Sequence, residues 1–261
     1  MIEINDKKSI GRVLFIVEGS KTEFAILRKI FCDILKYEYI EKRRNRPDTF
    51  KSKNNSTSKV AVINTEESNI NYITDSEEYL DVLFEMLRTK FDFPVDNAAI
   101  YYLFDRDPKS NTDVERIKTY IDTLKDPYDN GITKAGMLLL SYPSIEAYTV
   151  SGFEKNSCEI RKNLGSELKT YIGENKNIQF NKFSESIVLN AADEFLKYLF
   201  NEKLNWDLDD FSPTSKEIFS RQEKEYLSGN GYKLFSMLTL AFMQLGIITY
   251  TETKEETSGS L

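Results

Sequence analysis

Five consecutive apolar residues, Val13-Leu14-Phe15-Ile16-Val17, followed at once by Glu18-Gly19, constrain this chain more than any other feature. A run of strand length with no polar residue on either alternate set fits a strand covered on both faces, as in a parallel sheet. Glu18-Gly19 ends it abruptly, and glycine permits the sharp turn. Ser20 then caps a helix whose apolar side reads Phe24, Ile26, Leu27, Ile30, Phe31, Ile34 and Leu35. Glu18 is therefore expected at the carboxyl end of a central strand, where open α/β sheets place their ligands. A carboxylate there has no capping duty, and burying it without a partner is costly. Ser20-Lys21-Thr22-Glu23 also spells a capping box, with Glu23 reaching back to the Ser20 amide. That reading accounts for Glu23 without excluding a metal role.

The same unit recurs. A second apolar run, Val60–Asn64, is followed by a loop and by a helical pattern over Asp75–Phe91, where Tyr79, Leu80, Leu83, Phe84 and Leu87 keep helical spacing. A third run, Ala98–Phe104, leads directly into Asp105-Arg106-Asp107-Pro108. Acids at i and i+2 of an extended chain point the same way, as two ligands of one site require. Thr112-x-x-Glu115 reads as the capping box of a helix over Asp113–Leu124. A fourth run, Gly136–Ser141, leads into Tyr142-Pro143-Ser144-Ile145-Glu146. Glu146 is either a favourable acid in the first turn of a helix or a further acid delivered to the same sheet edge. Strands alternating with helices predict an α/β fold, with a mostly parallel four-stranded sheet flanked by helices over residues 10–152.

Past Gly152 the pattern changes. Asn163–Gln179 is polar and interrupted by glycine, and amphipathic helices are expected over Ser186–Leu204, Thr214–Leu227 and Tyr232–Gln244. Residues 153–250 read as a helical appendage that packs against the sheet or presents a partner surface. Trp206, Phe195, Tyr198, Phe200, Phe211 and Phe219 are expected in its core, and residues 1–9 and 251–261 read as frayed.

Composition narrows the chemistry. The 261 residues contain no histidine, which removes Ser-His-Asp, Cys-His and H-E-x-x-H machinery from this chain. Two cysteines, Cys32 and Cys158, build neither a disulfide framework nor a structural zinc site, and a reducing cytoplasm is the expected compartment. No signal-peptide layout and no run of transmembrane length is present. Carboxylates and lysines are left to carry any catalysis, and carboxylate-rich sites suit Mg²⁺ or Mn²⁺. The net charge of −7 offers no global attraction to nucleic acid. Locally, Glu41–Lys59 concentrates Lys42, Arg43, Arg44, Arg46, Lys51, Lys53 and Lys59. That stretch is either a solvated loop or a contact for phosphates.

The three phrases VEGSKTE, LFDRD and YPSIE resemble, in order, the motifs of the Toprim superfamily, and most closely its RloB-like and OLD-like nucleases of bacterial anti-phage defence. The resemblance spans roughly residues 10–150; Ile145 stands where relatives often carry phenylalanine, a departure that touches the subfamily more than the superfamily. It implies a Rossmann-like Toprim domain with a Mg²⁺-dependent phosphodiester-cleaving site. Asp105 and Asp107 would hold a metal, with Glu18, Glu23 and Glu146 completing one or two positions. Glu18 could instead act as general base or acid, and Lys21, Arg106 or Lys109 could stabilise charge on the transferring phosphate. Arg43, Arg44 and Arg46 would contact DNA or RNA, and an ABC-type ATPase is the implied protein partner, with self-association left open. A phosphodiesterase acting on a small cyclic nucleotide and a non-catalytic Toprim binding module are the competing readings.

Overall fold

The computed structural model describes residues 1–40, 47–64, 84–90, 92–128 and 136–251. Strands β1 (Ile2–Ile4) and β2 (Arg12–Val17) precede helix α1 (Thr22–Arg28), which continues as a π-helical segment over Lys29–Ile34. Strands β3 (Glu38–Ile40), β4 (Asp48–Lys51) and β5 (Lys59–Asn64) follow, and residues 84–90 are helical. Next come β6 (Ala98–Asp105), α2 (Val114–Thr123), β7 (Lys125–Asp126) and β8 (Gly136–Tyr142). The second half contains α3 (Glu146–Phe153), β9 (Arg161–Lys162), α4 (Gly165–Glu174), α5 (Glu185–Asn201) and α6 (Ser212–Leu227). It ends with β10 (Tyr232–Lys233), β11 (Phe235–Ser236), α7 (Leu238–Gln244) and β12 (Ile248–Tyr250).

Four parallel strands in the order β8-β6-β2-β5 form the centre of the main sheet. Val13 pairs with Val60 on one side and Ala99 on the other, so β2 is hydrogen-bonded along both edges. All of β2 beyond Arg12, and β6 from Ala98 to Phe104, is buried. The unbroken apolar runs are what a sheet flanked by helices on its faces demands. Antiparallel strands extend it: β4 on β5 and β3 on β4 at one side, β7 and β11 on β8 at the other.

Several expectations change here. The stretch read as a basic loop includes β4, whose Phe50 is fully buried against Phe31 with ring centroids 5.8 Å apart. A four-residue strand with one apolar anchor gives little periodicity to read. Residues 1–9 are not simply frayed, since Ile2–Ile4 pairs antiparallel with β12, Ile2 opposite Tyr250. That partner lies at the far end of the chain, beyond the reach of any local pattern. The helix expected over Tyr232–Gln244 divides into β10, β11 and α7, and the polar stretch after Asn163 contains α4. Of the helix expected over Asp75–Phe91, residues 84–90 are helical with Phe84 and Leu87 buried; the remainder lies outside the described residues. The cap of α2 is Asp113, accepting from the Arg116 amide at 3.0 Å, rather than Thr112.

The C-terminal segment packs against the sheet and joins it. Phe235 of β11 pairs with Tyr142, stacks on Phe195 at 5.2 Å and packs tilted against Tyr198 at 4.2 Å between centroids. Phe242 of α7 meets Phe31 and Tyr148, so one apolar core runs through both halves. Phe195, Tyr198, Phe211 and Phe219 are buried as expected, whereas Phe200 is exposed and Trp206 is only partly buried. Among the described residues no helix is long and apolar enough to cross a membrane.

Candidate functional site

Parallel pairing brings the carboxyl ends of β2, β6 and β8 to one edge. The Glu18 amide donates to the Leu103 carbonyl at 3.2 Å, continuing the ladder by one residue. The Glu18 side chain then turns to the neighbouring strand end, Oε2 accepting from the Asp105 amide at 2.9 Å. Asp105, the last residue of β6, pairs with Ser141 of β8 and accepts from the Ile145 amide at 2.8 Å. Glu146, in the first turn of α3, accepts from the Thr22 hydroxyl at 3.1 Å, which ties α3 to the start of α1. Glu23 Oε1 accepts from the Gly19 amide at 3.0 Å, one residue before the Ser20 partner expected of a capping box. A Cβ on Gly19 would lie 2.5 Å from the Glu23 carboxylate, so a side chain there would push that carboxylate out of its present position.

The electrostatics follow from packing these acids together. Burial pushes Glu18 up to about 7, and the charges of Glu23 and Asp107 add to it against the opposing bonds from the Asp105 amide and Asn111. Burial likewise raises Asp105 well above the usual carboxylate range, reinforced by Glu18, Glu23 and Glu146 and opposed by the Ile145 amide. Glu23 is raised by burial first, with Glu146 adding and the Gly19 amide and Lys169 opposing. Glu146 Oε2 is buried without a hydrogen-bond partner, while Lys169 of α4 approaches Oε1 to 3.6 Å. Four carboxylates from three strand-to-helix turns therefore share one buried edge, and each that shifts does so toward holding its proton.

Asp107 is placed differently. The alternation that puts i and i+2 on one side holds only while the backbone is extended, and β6 stops at Asp105. Asp107 sits in the following turn, Oδ1 accepting from the Lys109 amide and Oδ2 from the Gly165 amide, each at 2.9 Å. It stands at the rim of the cluster and raises Glu18 from there. Among the described residues, no three acidic, histidine or cysteine side chains close into a ready metal cage. The carboxylates are instead directed at backbone amides and hydroxyls.

Arg106 does not face a ligand at all. It is 2% exposed and makes a bidentate pair with Glu223 of α6, Nε and Nη2 each 2.8 Å from a carboxylate oxygen. Nη1 donates to the Asn111 carbonyl at 2.9 Å, and Tyr232 completes the Glu223 partners. Its work is to clamp the turn after β6 to the C-terminal half, so the expectation that it meets phosphate is corrected. Lys21 and Lys109 are exposed at the turns they were expected to occupy. Arg43, Arg44 and Arg46 lie outside the described residues.

Three contributors were not expected from sequence. Asn111 Nδ2 donates to the Asp105 carbonyl at 2.6 Å and reaches Glu18 Oε2 at 3.5 Å, binding the two acids' turns together. An asparagine shortly after an Asp-rich turn is a recognisable turn-stabilising residue, and that signal was available. Thr22 and Lys169 had none, because their roles depend on α3 and α4 arriving from elsewhere in the chain. Comparison with protein-family models, with curated proteins and with solved structures finds no match to this chain.

Proposed function

We propose that this chain is a metal-dependent phosphodiester hydrolase of the Toprim type, a nuclease resembling the RloB-like and OLD-like branch, with Mg²⁺ or Mn²⁺ held at the acidic edge. The observation that carries the reading is the convergence of buried Glu18, Glu23 and Glu146 with partly buried Asp105 on one edge, with a Glu146 oxygen left without a hydrogen-bond partner. Such a donor set is all oxygen, partly desolvated and mutually repelling, and a hard divalent cation relieves each of those costs. The residues present thus fit the ion. Glu18, Glu23, Asp105 and Glu146 would hold it, with Asp107 at the rim. When bound, a divalent ion polarises a phosphoryl oxygen and acidifies a water.

The chain's own residues supply the orientation. Amides of Gly19, Ile145 and Asp105 hold one oxygen each of Glu23, Asp105 and Glu18, which leaves the other oxygen of each carboxylate free of that bond. Fixing one oxygen limits the rotamers from which the second must act. Without metal, burial holds Glu18 up to about 7, and a cation at this edge would favour its charged, ligating form. Lys21 and Lys109, exposed on the flanking turns, would be the cations offered to a phosphate. DNA or RNA as substrate, an ABC-type ATPase as partner and a cytoplasmic setting belong to the same proposal. The test is cleavage of plasmid, single-stranded DNA and tRNA by purified protein with Mg²⁺ or Mn²⁺ against EDTA. Cleavage restored by metal supports the reading, and no cleavage of any substrate at any metal concentration overturns it.

A further inference from the structure

The opposite edge of the sheet carries the reverse charge. Arg12 opens β2 and pairs in register with Lys59, which opens β5; Lys59 pairs in turn with Lys51, which closes β4. Three cations therefore sit side by side across three adjacent strands, and residues in register project from the same face. Like charges directly opposite one another destabilise a sheet. Lys59 responds: burial lowers its ammonium, and the charges of Lys51 and Arg12 lower it further against the pull of Asp92. Lys59 Nζ donates to the Asp92 carbonyl at 2.9 Å and lies over the Phe93 ring. Among the described residues neither Arg12 nor Lys51 forms a salt bridge, although Glu38 of β3 is opposite Lys51 in register.

These three side chains line a recess of about 550 Å³, whose other walls include Thr57, Ile40 and Pro94. Among the described residues that line it, Asp92 is the one acid against Arg12, Lys51 and Lys59, in a chain of net charge −7. Its size falls within the range of small-molecule sites, roughly 300–1,000 Å³. A row of three cations facing one acid among the described residues, beside hydroxyl and apolar walls, is suited to a phosphate group joined to a less polar body.

We infer that this recess is a second site, binding a small phosphorylated ligand of nucleotide size, on the sheet edge opposite the acidic cluster. The six residues of β2 separate the two by about 20 Å, so the sites share a strand and not a ligand. The inference does not depend on the acidic edge being catalytic.

The experiment is calorimetric titration of the full chain with ATP and with inorganic pyrophosphate in EDTA, which keeps metal–nucleotide complexes from the acidic edge. Saturable binding that weakens at least tenfold in the Arg12→Gln/Lys51→Gln double variant, and is unchanged in Glu18→Gln, is the expected result. Both substituted cations are exposed, and thermal melting confirms that the variant folds; should it not, Lys51→Gln alone must still weaken binding measurably. No saturable binding of either probe at millimolar concentration overturns the inference, as does binding indifferent to the cations. Displacement of ATP by a single-stranded oligonucleotide at equal phosphate concentration would also overturn it, because the recess would then be part of a polymer track.

Discussion

The two edges of one parallel sheet collect opposite charges by opposite means. At the carboxyl edge, Glu18, Glu23 and Glu146 are buried and Asp105 partly so, each engaged by an amide or hydroxyl, and raised above their usual pKa range where a shift is resolved. At the amino edge, the cations of Arg12 and Lys51 are exposed and Lys59 is half-buried, aligned by strand register alone. Buried like charges are tolerated only with partners or with protons, whereas exposed ones are screened by water. The carboxyl edge therefore stores far more free energy for a counter-ion to release, and substitutions there should have the larger effects.

Asp105→Asn tests that difference most severely. The amide side chain can still accept from Ile145 but is a poorer metal ligand, so metal-dependent cleavage should fall to background, beyond the ~10–100-fold typical of losing an outer partner of a metal site. In EDTA at pH 8 the same variant should melt at least as high as the parent, because no raised carboxyl remains at that position to be forced to ionise. Retained cleavage would remove Asp105 from the site.

Arg106→Gln should give the next largest effect, on stability alone. It leaves Glu223 buried without its bidentate partner, and breaking such a pair costs about 3–5 kcal/mol. Urea unfolding measures it; a loss below about 1 kcal/mol would mean that the clamp between the turn after β6 and α6 does not hold the halves together.

The pH dependence of the metal-free protein comes third. Glu18 holds its proton more tightly folded than unfolded, so its stabilising contribution is complete below pH 4.5 and is lost as pH rises through about 7. That shift corresponds to roughly 3 kcal/mol, and Asp105 acts in the same direction. Unfolding in EDTA should show stability falling between pH 5 and pH 8, and added Mg²⁺ should flatten the slope. A stability that rises across this window would show the acids to be paired rather than repelling.

Glu23→Gln separates turn-holding from ion-holding. Glutamine still accepts from Gly19, so stability should stay within about 1 kcal/mol while cleavage is lost. Stability retained together with full cleavage would leave Glu23 a structural residue. The smallest effect belongs to the amino edge. Lys51→Gln removes one of three aligned cations and should raise stability by ~0.2–1 kcal/mol at low salt, fading as salt is added.

What the sequence determined by itself was the local and the periodic. The apolar runs at Val13–Val17 and Ala98–Phe104 could be satisfied only between two covering layers, and glycine or proline after each could only end it, so strands, turns and terminal acids were legible. Even the placement of Glu18, Asp105 and Glu146 at one edge follows from parallel strands, whose carboxyl ends must lie together. Tertiary structure alone decided what crosses long stretches of chain. The sequence placed Asp107 beside Asp105, but the turn hands it to the Gly165 amide. An arginine flanked by two aspartates reads as a phosphate contact until Glu223, 117 residues away, claims it. Strand β1 has no meaning without β12, and the cation row exists only because three strands take one register. Register and distant pairing are set by the packing of the whole core, which no window of sequence contains.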